Sequence, residues 1–460
     1  MTDPVSWDAA LIRRHDKPGP LYTAYPPPAQ YRSGILSGDL LAALKDSARQ
    51  GRNLSLSVHI PFCANACHFC YCTRVITKDR SRAQPYLNAL YREIELLSSV
   101  LEPGVSVERL HLGGGTPTFF SHQDLTQMMG KLRQGFNLHD DDIGDYSVDI
   151  DPREADWPTL GLLRELGFNH ISVGVQDLDP QVQGAINRLQ SQEQTQAVMD
   201  AARALAYRSV HMHLMYGLPR QTVESFTRTL ASVIAMQPDR LTLRNYTHLP
   251  ERYASQRHIS TQQLPDYEVR LAIHASSHAQ LSAAGYRFIG MGQYALPDDC
   301  LSLAREADAL TYGLQGYVPG VGSDLLGLGV SAISQVGDIC SRNTCDIVEY
   351  QQQLQQGRLP LGQGLRRTAD DRLRRTIIQQ LLCQWRLNYR EIEQRFNIDF
   401  ASYFADCFGK LRQLQDDSLI RLDERGLEVL PAGRLLVVRI CAVFDAYHGA
   451  MDDALYAQSI

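Results

Sequence analysis

Leu54-Ser55-Leu56-Ser57-Val58-His59-Ile60-Pro61-Phe62-Cys63-Ala64-Asn65-Ala66-Cys67-His68-Phe69-Cys70 joins a short apolar run of strand character to three closely spaced cysteines. The spacing is C-x3-C-x2-C. Three thiolates this close can hold three irons of a cubane [4Fe-4S] cluster and leave the fourth iron without a protein ligand. An open iron can bind a small molecule and pass it an electron. The segment therefore reads as a reaction centre placed at the end of a strand.

Further apolar runs of strand character lie near Val107–Leu112, Tyr146–Ile150, His170–Val175, Val210–Met215 and Arg240–Tyr246. Segments with helical spacing lie between them, among them Tyr86–Leu97, Leu160–Leu166, Gln194–Leu205 and Val223–Met236. Six strands alternating with helices predict an α/β fold with a parallel sheet. Alternation alone leaves open a partial barrel or a doubly wound sheet. In either, chemistry sits at the C-terminal ends of the strands. There the sequence places the cysteines, Gly113-Gly114-Gly115-Thr116-Pro117-Thr118, Asp149-Ile150-Asp151-Pro152, Gln176-Asp177, and His213-Leu214-Met215-Tyr216-Gly217-Leu218-Pro219.

The 460 residues suffice for several domains, and a net charge of -6 gives no footprint for nucleic acid. No apolar run is long enough to span a membrane, and the N-terminal residues lack the basic flank and apolar centre of a secretory signal. A cytoplasmic location follows as the default. Four of ten cysteines (Cys63, Cys67, Cys70, Cys72) crowd together, which in a reducing compartment reads as metal binding. Cys300, Cys340, Cys345, Cys383, Cys407 and Cys441 are scattered and read as small core hydrophobes. The expected organisation is an arm over 1–50 with Pro18-Gly19-Pro20 and Pro26-Pro27-Pro28 in extended or turn conformation, and a (β/α)6 core over 51–260. A core extension and connecting segment over 261–360 includes the glycine-rich stretch 320–334. A mainly helical module over 361–460 ends in a β-turn-β pattern, Leu419–Leu430.

The cysteines have an alternative as a zinc site, but zinc usually takes four closed ligands, often two C-x2-C pairs, and no second pair follows. Cys72 is a possible fourth ligand, although C-x-C strains tetrahedral closure. The three glycines are a flexible turn or a place where backbone approaches a ligand closely. Asp149, Gln176 and Arg188 are surface or capping residues, or, as a set on one rim, grips for a ribose, a carboxylate and an adenine edge. His213 fits a polar strand face equally well.

These motifs resemble those of radical S-adenosylmethionine (SAM) enzymes, and the fuller similarity is to the oxygen-independent coproporphyrinogen III oxidase (HemN) family. It is carried by Gly19–Pro26, Val58–Cys72, Leu110–Thr118, Asp151-Pro152-Arg153-Glu154, Gly174–Asp177, Tyr216–Pro219, Asn245–Pro250, Phe288–Met291, Gly327–Ser334 and the C-terminal module. The resemblance implies a partial TIM-like (β/α)6 barrel with an N-terminal arm and a helical C-terminal domain. It implies a [4Fe-4S] cluster on Cys63, Cys67 and Cys70, with Cys72 a neighbour, and SAM at Phe69, Gly114, Gly115, Thr116, Gln176, Arg188 and Ile333. The implied reaction cleaves SAM, removes a hydrogen from a propionate and releases carbon dioxide, turning two propionates of coproporphyrinogen III into vinyl groups. It implies a tetrapyrrole substrate, a reduced donor such as a flavodoxin or ferredoxin, and a monomer. Arg13, Arg14, Arg32 and Arg257 are available for the substrate carboxylates, which need cationic partners when buried.

The chain departs from the family pattern at Ser57 (usually Tyr), Asp149 (Glu), His213 (Asp), Thr247 (Ala) and Gly292-Gln293 (Asp-His). Ser57, Asp149 and His213 belong to the family's SAM contacts. Asp to His removes a charge-assisted acceptor, on the order of 1.5–3 kcal/mol, and installs a group that also donates and is cationic when protonated. Two further readings stand beside the oxidase: a divergent paralogue that modifies or opens a haem ring, and a haem-binding or haem-delivery protein without turnover.

Overall fold

The computed structural model describes residues 5–17, 19–101, 104–140, 142–320 and 322–448. Met1–Pro4, Pro18, Val321 and the last stretch of the C-terminal module, 449–460, lie outside the described residues.

Six parallel strands form the centre: β1 (Leu54–Ile60), β2 (Ser106–Gly114), β3 (Asp145–Ile150), β4 (His170–Gln176), β5 (Ser209–Tyr216) and β6 (Arg240–Asn245). They pair in sequence order, each with the one before it. A doubly wound sheet needs a reversal of strand order, and none occurs here. With right-handed crossovers throughout, an unreversed order puts every connecting helix on one face and leaves the other face to curl inward. That settles the open choice in favour of a partial barrel. Antiparallel β7 (Arg287–Gly290) and β8 (Gln293–Ala295) extend the sheet beyond β6; beyond β1 it continues through parallel β9 (Asp324–Leu328), then β10 (Ile333–Val336), β11 (Ile339–Asn343) and β12 (Leu361–Arg366). The two ends of this order do not pair, so the barrel is open among the described residues.

Each strand carries two sets of side chains because the pleat alternates. In β1, Leu54, Leu56, Val58 and Ile60 are fully buried against the helical layer, as are Val148 and Ile150 of β3 and Val210, Met212 and Leu214 of β5. The opposite set is polar. Arg109 and His111, Asp145, Ser147 and Asp149, His170 and Ser172, His211 and His213, and Arg240 and Arg244 all face the barrel interior, where they line one cavity. The barrel is therefore filled not by apolar layers but by a polar lumen.

The connecting helices begin where the sequence supplies caps. Ser121 with Asp124, Ser191 with Gln194 and Thr222 with Ser225 form reciprocal capping boxes for His122–Gly135, Gln192–Ala204 and Val223–Ala235. The N-terminal arm is more helical than its proline runs suggest. Ala9–His15 starts on the Asp8 carboxylate, and Ser37–Arg49 buries Leu40 and Leu44, one turn apart, in the main core. Ile12, Tyr22 and Tyr25 of the arm join a second core with residues of the helix Ala369–Gln384 and the segment up to Phe444. The β-turn-β at the C-terminal end is present as Ile420–Leu422 and Gly426–Val429, joined by a third strand, Arg386–Asn388. Of the scattered cysteines, Cys340, Cys383 and Cys441 are buried as expected, whereas Cys345 is exposed. No helix among the described residues is long and apolar enough to cross a membrane.

Candidate active site

After β1 the chain makes a short strand, Phe62–Cys63, parallel to Val75–Ile76, which pins both ends of the cysteine loop. Carbonyls inside the loop are held from outside: Asn187 Nδ2 donates to Ala66 O at 2.7 Å, Ser255 Oγ to Cys70 O at 2.8 Å, and the buried Gln256 to Phe69 O at 3.2 Å. The strand β2 runs on beside this loop. Gly115 N donates to Ile60 O and Thr116 N to Phe62 O, each at 2.7 Å. A Cβ at Gly115 would lie 2.5 Å from the Phe62 carbonyl oxygen, one at Gly114 2.5 Å from His59 Nδ1, and one at Gly113 2.5 Å from His111 Nε2. The triple glycine is thus demanded by the chain's own packing, and its consequence is that Gly114, Gly115 and Thr116 form a close wall of the cavity.

Cys67 is the most heavily supported thiol. Arg153 Nη2 lies 3.5 Å and Arg188 Nη1 3.6 Å from its sulfur, and Arg74 donates to its carbonyl at 2.9 Å. Asp151 holds both guanidiniums, at 2.7 Å from Arg153 and 3.0 Å from Arg188. Burial pushes the Asp151 carboxyl up, but the two arginines outweigh it and bring it down to about 2. Arg188 also donates to Gly174 O at 2.6 Å, so it ties the ends of β3 and β4 to the cysteine loop. Thr116 Oγ1 lies 3.7 Å from Cys63 Sγ, and burial pushes that thiol up to about 11. The Cys72 backbone N–H donates to Cys70 Sγ at 3.5 Å, which makes Cys72 a neighbour of the site. No three His, Cys, Asp or Glu side chains among the described residues converge as one metal ion requires. Three thiols around one cavity, with no second C-x2-C pair in the sequence, suit a polynuclear cluster.

Behind the cysteines the lumen is ordered by hydrogen bonds across strands. His111 Nδ1 meets Ser147 Oγ at 2.9 Å and its Nε2 faces Asp149 at 3.7 Å. His213 Nε2 meets Ser172 Oγ at 2.7 Å, and His211 Nε2 meets Thr242 Oγ1 at 2.6 Å. Burial, with Arg244 and His111 nearby, lowers His213 to about 3, and burial lowers His211 strongly as well. His213 is therefore neutral at physiological pH, not the cation its sequence position allows. Arg240 is committed to Asp299 at 2.8 Å, and Arg109 lies 3.8 Å from Asp145. Arg244 differs: its side chain donates to the Tyr71 hydroxyl at 3.1 Å and makes no ion pair among the described residues.

One cavity of about 500 Å³ collects Cys63, Cys67, Cys70, Phe69, Gly114, Gly115, Thr116, Asp149, Gln176, Arg188 and His213. Gln176 enters it from a bulge in the β4–β5 pairing with φ of 67°, a conformation unfavourable for a side chain. Such strain persists only where the surroundings enforce it. Three candidate residues stand elsewhere. Ser57 lies between His111 and Gly327 in register, the Ile333 backbone packs on Gly327, and Thr247 lines a smaller neighbouring cavity with Asn245 and Arg270. Arg13, Arg14, Arg32 and Arg257 do not line the main cavity. Arg13 and Arg14 are taken by Glu268 and Asp417, and Arg32 and Arg257 donate to nearby carbonyls. The strand cations Arg109, Arg240 and Arg244 face the lumen instead, and their signal in the sequence is the polar residue at every second strand position.

Residues 57–233 match the radical SAM superfamily, and residues 368–436 match the HemN C-terminal domain. The fold and the cysteine site are those of a radical SAM enzyme, with a [4Fe-4S] cluster and SAM as its cofactors. The chain is 52% identical over 460 residues, the whole of both chains, to the oxygen-independent coproporphyrinogen III oxidase of Pseudomonas aeruginosa. It is 40% identical over 443 residues, 96% of each chain, to that of Escherichia coli K12. The solved structure of the E. coli coproporphyrinogen III oxidase, itself described as a radical SAM enzyme, superposes with a TM-score of 0.91 over 97% of this chain and 100% of that one. The chain belongs to the oxygen-independent coproporphyrinogen III oxidase family.

Proposed function

We propose that the chain carries out the radical SAM oxidative decarboxylation of coproporphyrinogen III propionates to vinyl groups, in haem biosynthesis. The observation that carries this reading is that a single lumen joins the three cluster cysteines to Arg244, which lies at the C-terminal end of β6, bonded to Tyr71 of the cysteine loop, and has no ion-pair partner among the described residues. When bound, the cluster and SAM supply a hydrogen-abstracting radical. Cys63, Cys67 and Cys70 would hold the cluster, with Phe69, Gly114, Gly115, Thr116, Gln176 and Arg188 on the wall where SAM would lie. Arg153 and Arg188 donate toward Cys67 Sγ and stabilise thiolate charge there, while Asp151 keeps both in position. Neutral His211 and His213 keep the middle of the lumen from accumulating positive charge. Arg244 offers a guanidinium fork to a propionate carboxylate, the pairing a buried carboxylate needs. The enclosing barrel wall limits water at the place where a carbon radical must survive.

The reading extends to a cytoplasmic monomer that takes electrons from a reduced flavodoxin or ferredoxin. Reconstituted protein incubated anaerobically with SAM, dithionite and coproporphyrinogen III is expected to yield 5′-deoxyadenosine and protoporphyrinogen IX. Formation of neither refutes it. Because the lumen carries the neutral ring of His213 where the family has an aspartate, haem belongs in a parallel incubation. SAM cleavage with haem alone would assign the chain to another tetrapyrrole reaction.

A further inference from the structure

A second cavity, of about 950 Å³, lies at the other end of the barrel from the cysteines. Ser55 and Arg109, near the N-terminal ends of β1 and β2, form its roof. The antiparallel hairpin Leu310–Gly313/Gly316–Pro319 stands between it and the lumen, with Leu314, Gln315 and Val318 on both walls. The arm and the helix Ala369–Gln384 supply the rest, from Thr23–Tyr25 to Gln380.

Its charges do not balance. Seven arginines and five aspartates line it. Every aspartate already has an arginine: Asp39 has Arg366 at 2.9 Å, Asp338 has Arg372 at 2.6 Å, and Asp324 has Arg52 at 3.2 Å. Asp308 is held by Arg386, and Asp46 lies 3.8 Å from Arg49. Arg109 reaches Asp145 from the lumen side, and Arg395 is exposed at the rim. That leaves Arg367 and Arg375. Arg367 is 7% exposed, leans on the Cys340 thiol, and its Nε has no hydrogen-bond partner. Neither arginine makes an ion pair among the described residues. Burial, reinforced by the neighbouring Arg367 charge, pulls Arg375 down to about 10. Arg367 is buried and Arg375 half-buried, and Asp324, whose charge acts on Arg375, is already engaged by Arg52 and Ser47, so this guanidinium pair is unfavourable unless an anion completes it. Gln315 Nε2 and Gln380 Oε1, of residues that line the same cavity, are also unpaired.

We propose that this lower cavity is a second ligand site, and that it takes a small molecule bearing two or more oxyanion groups, with Arg367 and Arg375 as its anchors. The volume is at the upper end of that of small-molecule sites and far exceeds one inorganic ion. Carboxylates of a tetrapyrrole and phosphates of a phosphorylated metabolite share the required chemistry, so two probes separate the sources.

Reconstituted protein is titrated with inorganic pyrophosphate and, separately, with coproporphyrin III, in the wild type and in R367Q, R375Q and R244Q. Binding of pyrophosphate that weakens at least tenfold in both R367Q and R375Q assigns the phosphate source. Coproporphyrin binding that weakens tenfold in those two and persists in R244Q assigns the carboxylate source. Failure of both probes to bind the wild type at millimolar concentration, or affinities equal in wild type and both variants, overturns the proposal. Since the glutamine variants change buried residues, phenylglyoxal labelling of the wild type gives an independent reading. The bound probe should protect Arg367 and Arg375 at least fivefold by peptide mass spectrometry, and unprotected labelling of both counts against the site.

Discussion

Asp151 is the residue on which the geometry of the cysteine site turns, because one carboxylate fixes two arginines that both reach Cys67. Its side chain is 11% exposed, so D151N leaves two guanidiniums buried without their counter-charge. A loss of about 3 kcal/mol in unfolding free energy is expected. Iron bound per chain after reconstitution should fall with it, and a variant with wild-type stability and iron content would refute the role. His213 gives a second test. Where the family has an acidic acceptor, this chain has a ring held neutral by burial, so the SAM-cleavage profile should show no step from it between pH 5 and 8. H213D restores an acceptor, and the KM for SAM should fall about tenfold, the equivalent of about 1.4 kcal/mol; an unchanged KM places His213 away from SAM. The cysteines and the glycine run were legible in the sequence because spacing alone constrains them. Arg188 was legible as a rim residue, but its convergence with Arg153 on Cys67 was not, since the three meet only when β1 to β4 are laid side by side.

At the scale of elements, the six strands could be read to within one or two residues because each carries an apolar set that must be buried. Their polar partners could not be assigned a common lumen until the strand order was known, since alternation does not say which way a sheet curls. The arm's helix Ser37–Arg49 was hidden because its large apolar residues fall in one short run, Leu40–Leu44, of which Leu40 and Leu44 are buried in the main core. A buried carboxylate links the helix Ala83–Ser98 to the loop after β9. Glu93 accepts hydrogen bonds at 2.7 Å from Gly329 N, Asn343 Nδ2 and the Tyr350 hydroxyl. Burial, only partly offset by these donors, raises its carboxyl to about 7. The folded state then holds a proton that the unfolded chain releases near pH 4.5, so stability is full below that value and declines as pH rises toward 7. The decline should reach about 3 kcal/mol. Chemical denaturation from pH 4.5 to 7.5 measures it, and E93Q should flatten the slope; equal slopes in both proteins would exclude Glu93 as its source.

Among the described residues the apolar side chains form two large cores and a small third one beside the cysteine loop, and the arm belongs with the far end of the chain. Tyr22 donates to Asp445 at 3.1 Å, and the Tyr25 hydroxyl accepts from Ala446 N at 3.0 Å. Tyr25 is 2% exposed, so Y25A should cost about 3–5 kcal/mol and lower the thermal midpoint of the intact protein. A midpoint unchanged within one degree or so would show that the arm does not brace the C-terminal module. This long-range pairing, across more than four hundred residues, has no local signature, which explains why the arm reads as extended in isolation. The polar lumen opens beside the cysteine loop, and the chemistry takes place inside it. The direct measurement is label transfer. Coproporphyrinogen III deuterated on its propionate side chains is incubated anaerobically with reconstituted protein, SAM and reductant, and 5′-deoxyadenosine is analysed by mass spectrometry. One deuterium in the 5′-deoxyadenosine, alongside protoporphyrinogen IX, is the predicted result. Unlabelled 5′-deoxyadenosine formed at the same rate with or without the tetrapyrrole would contradict it.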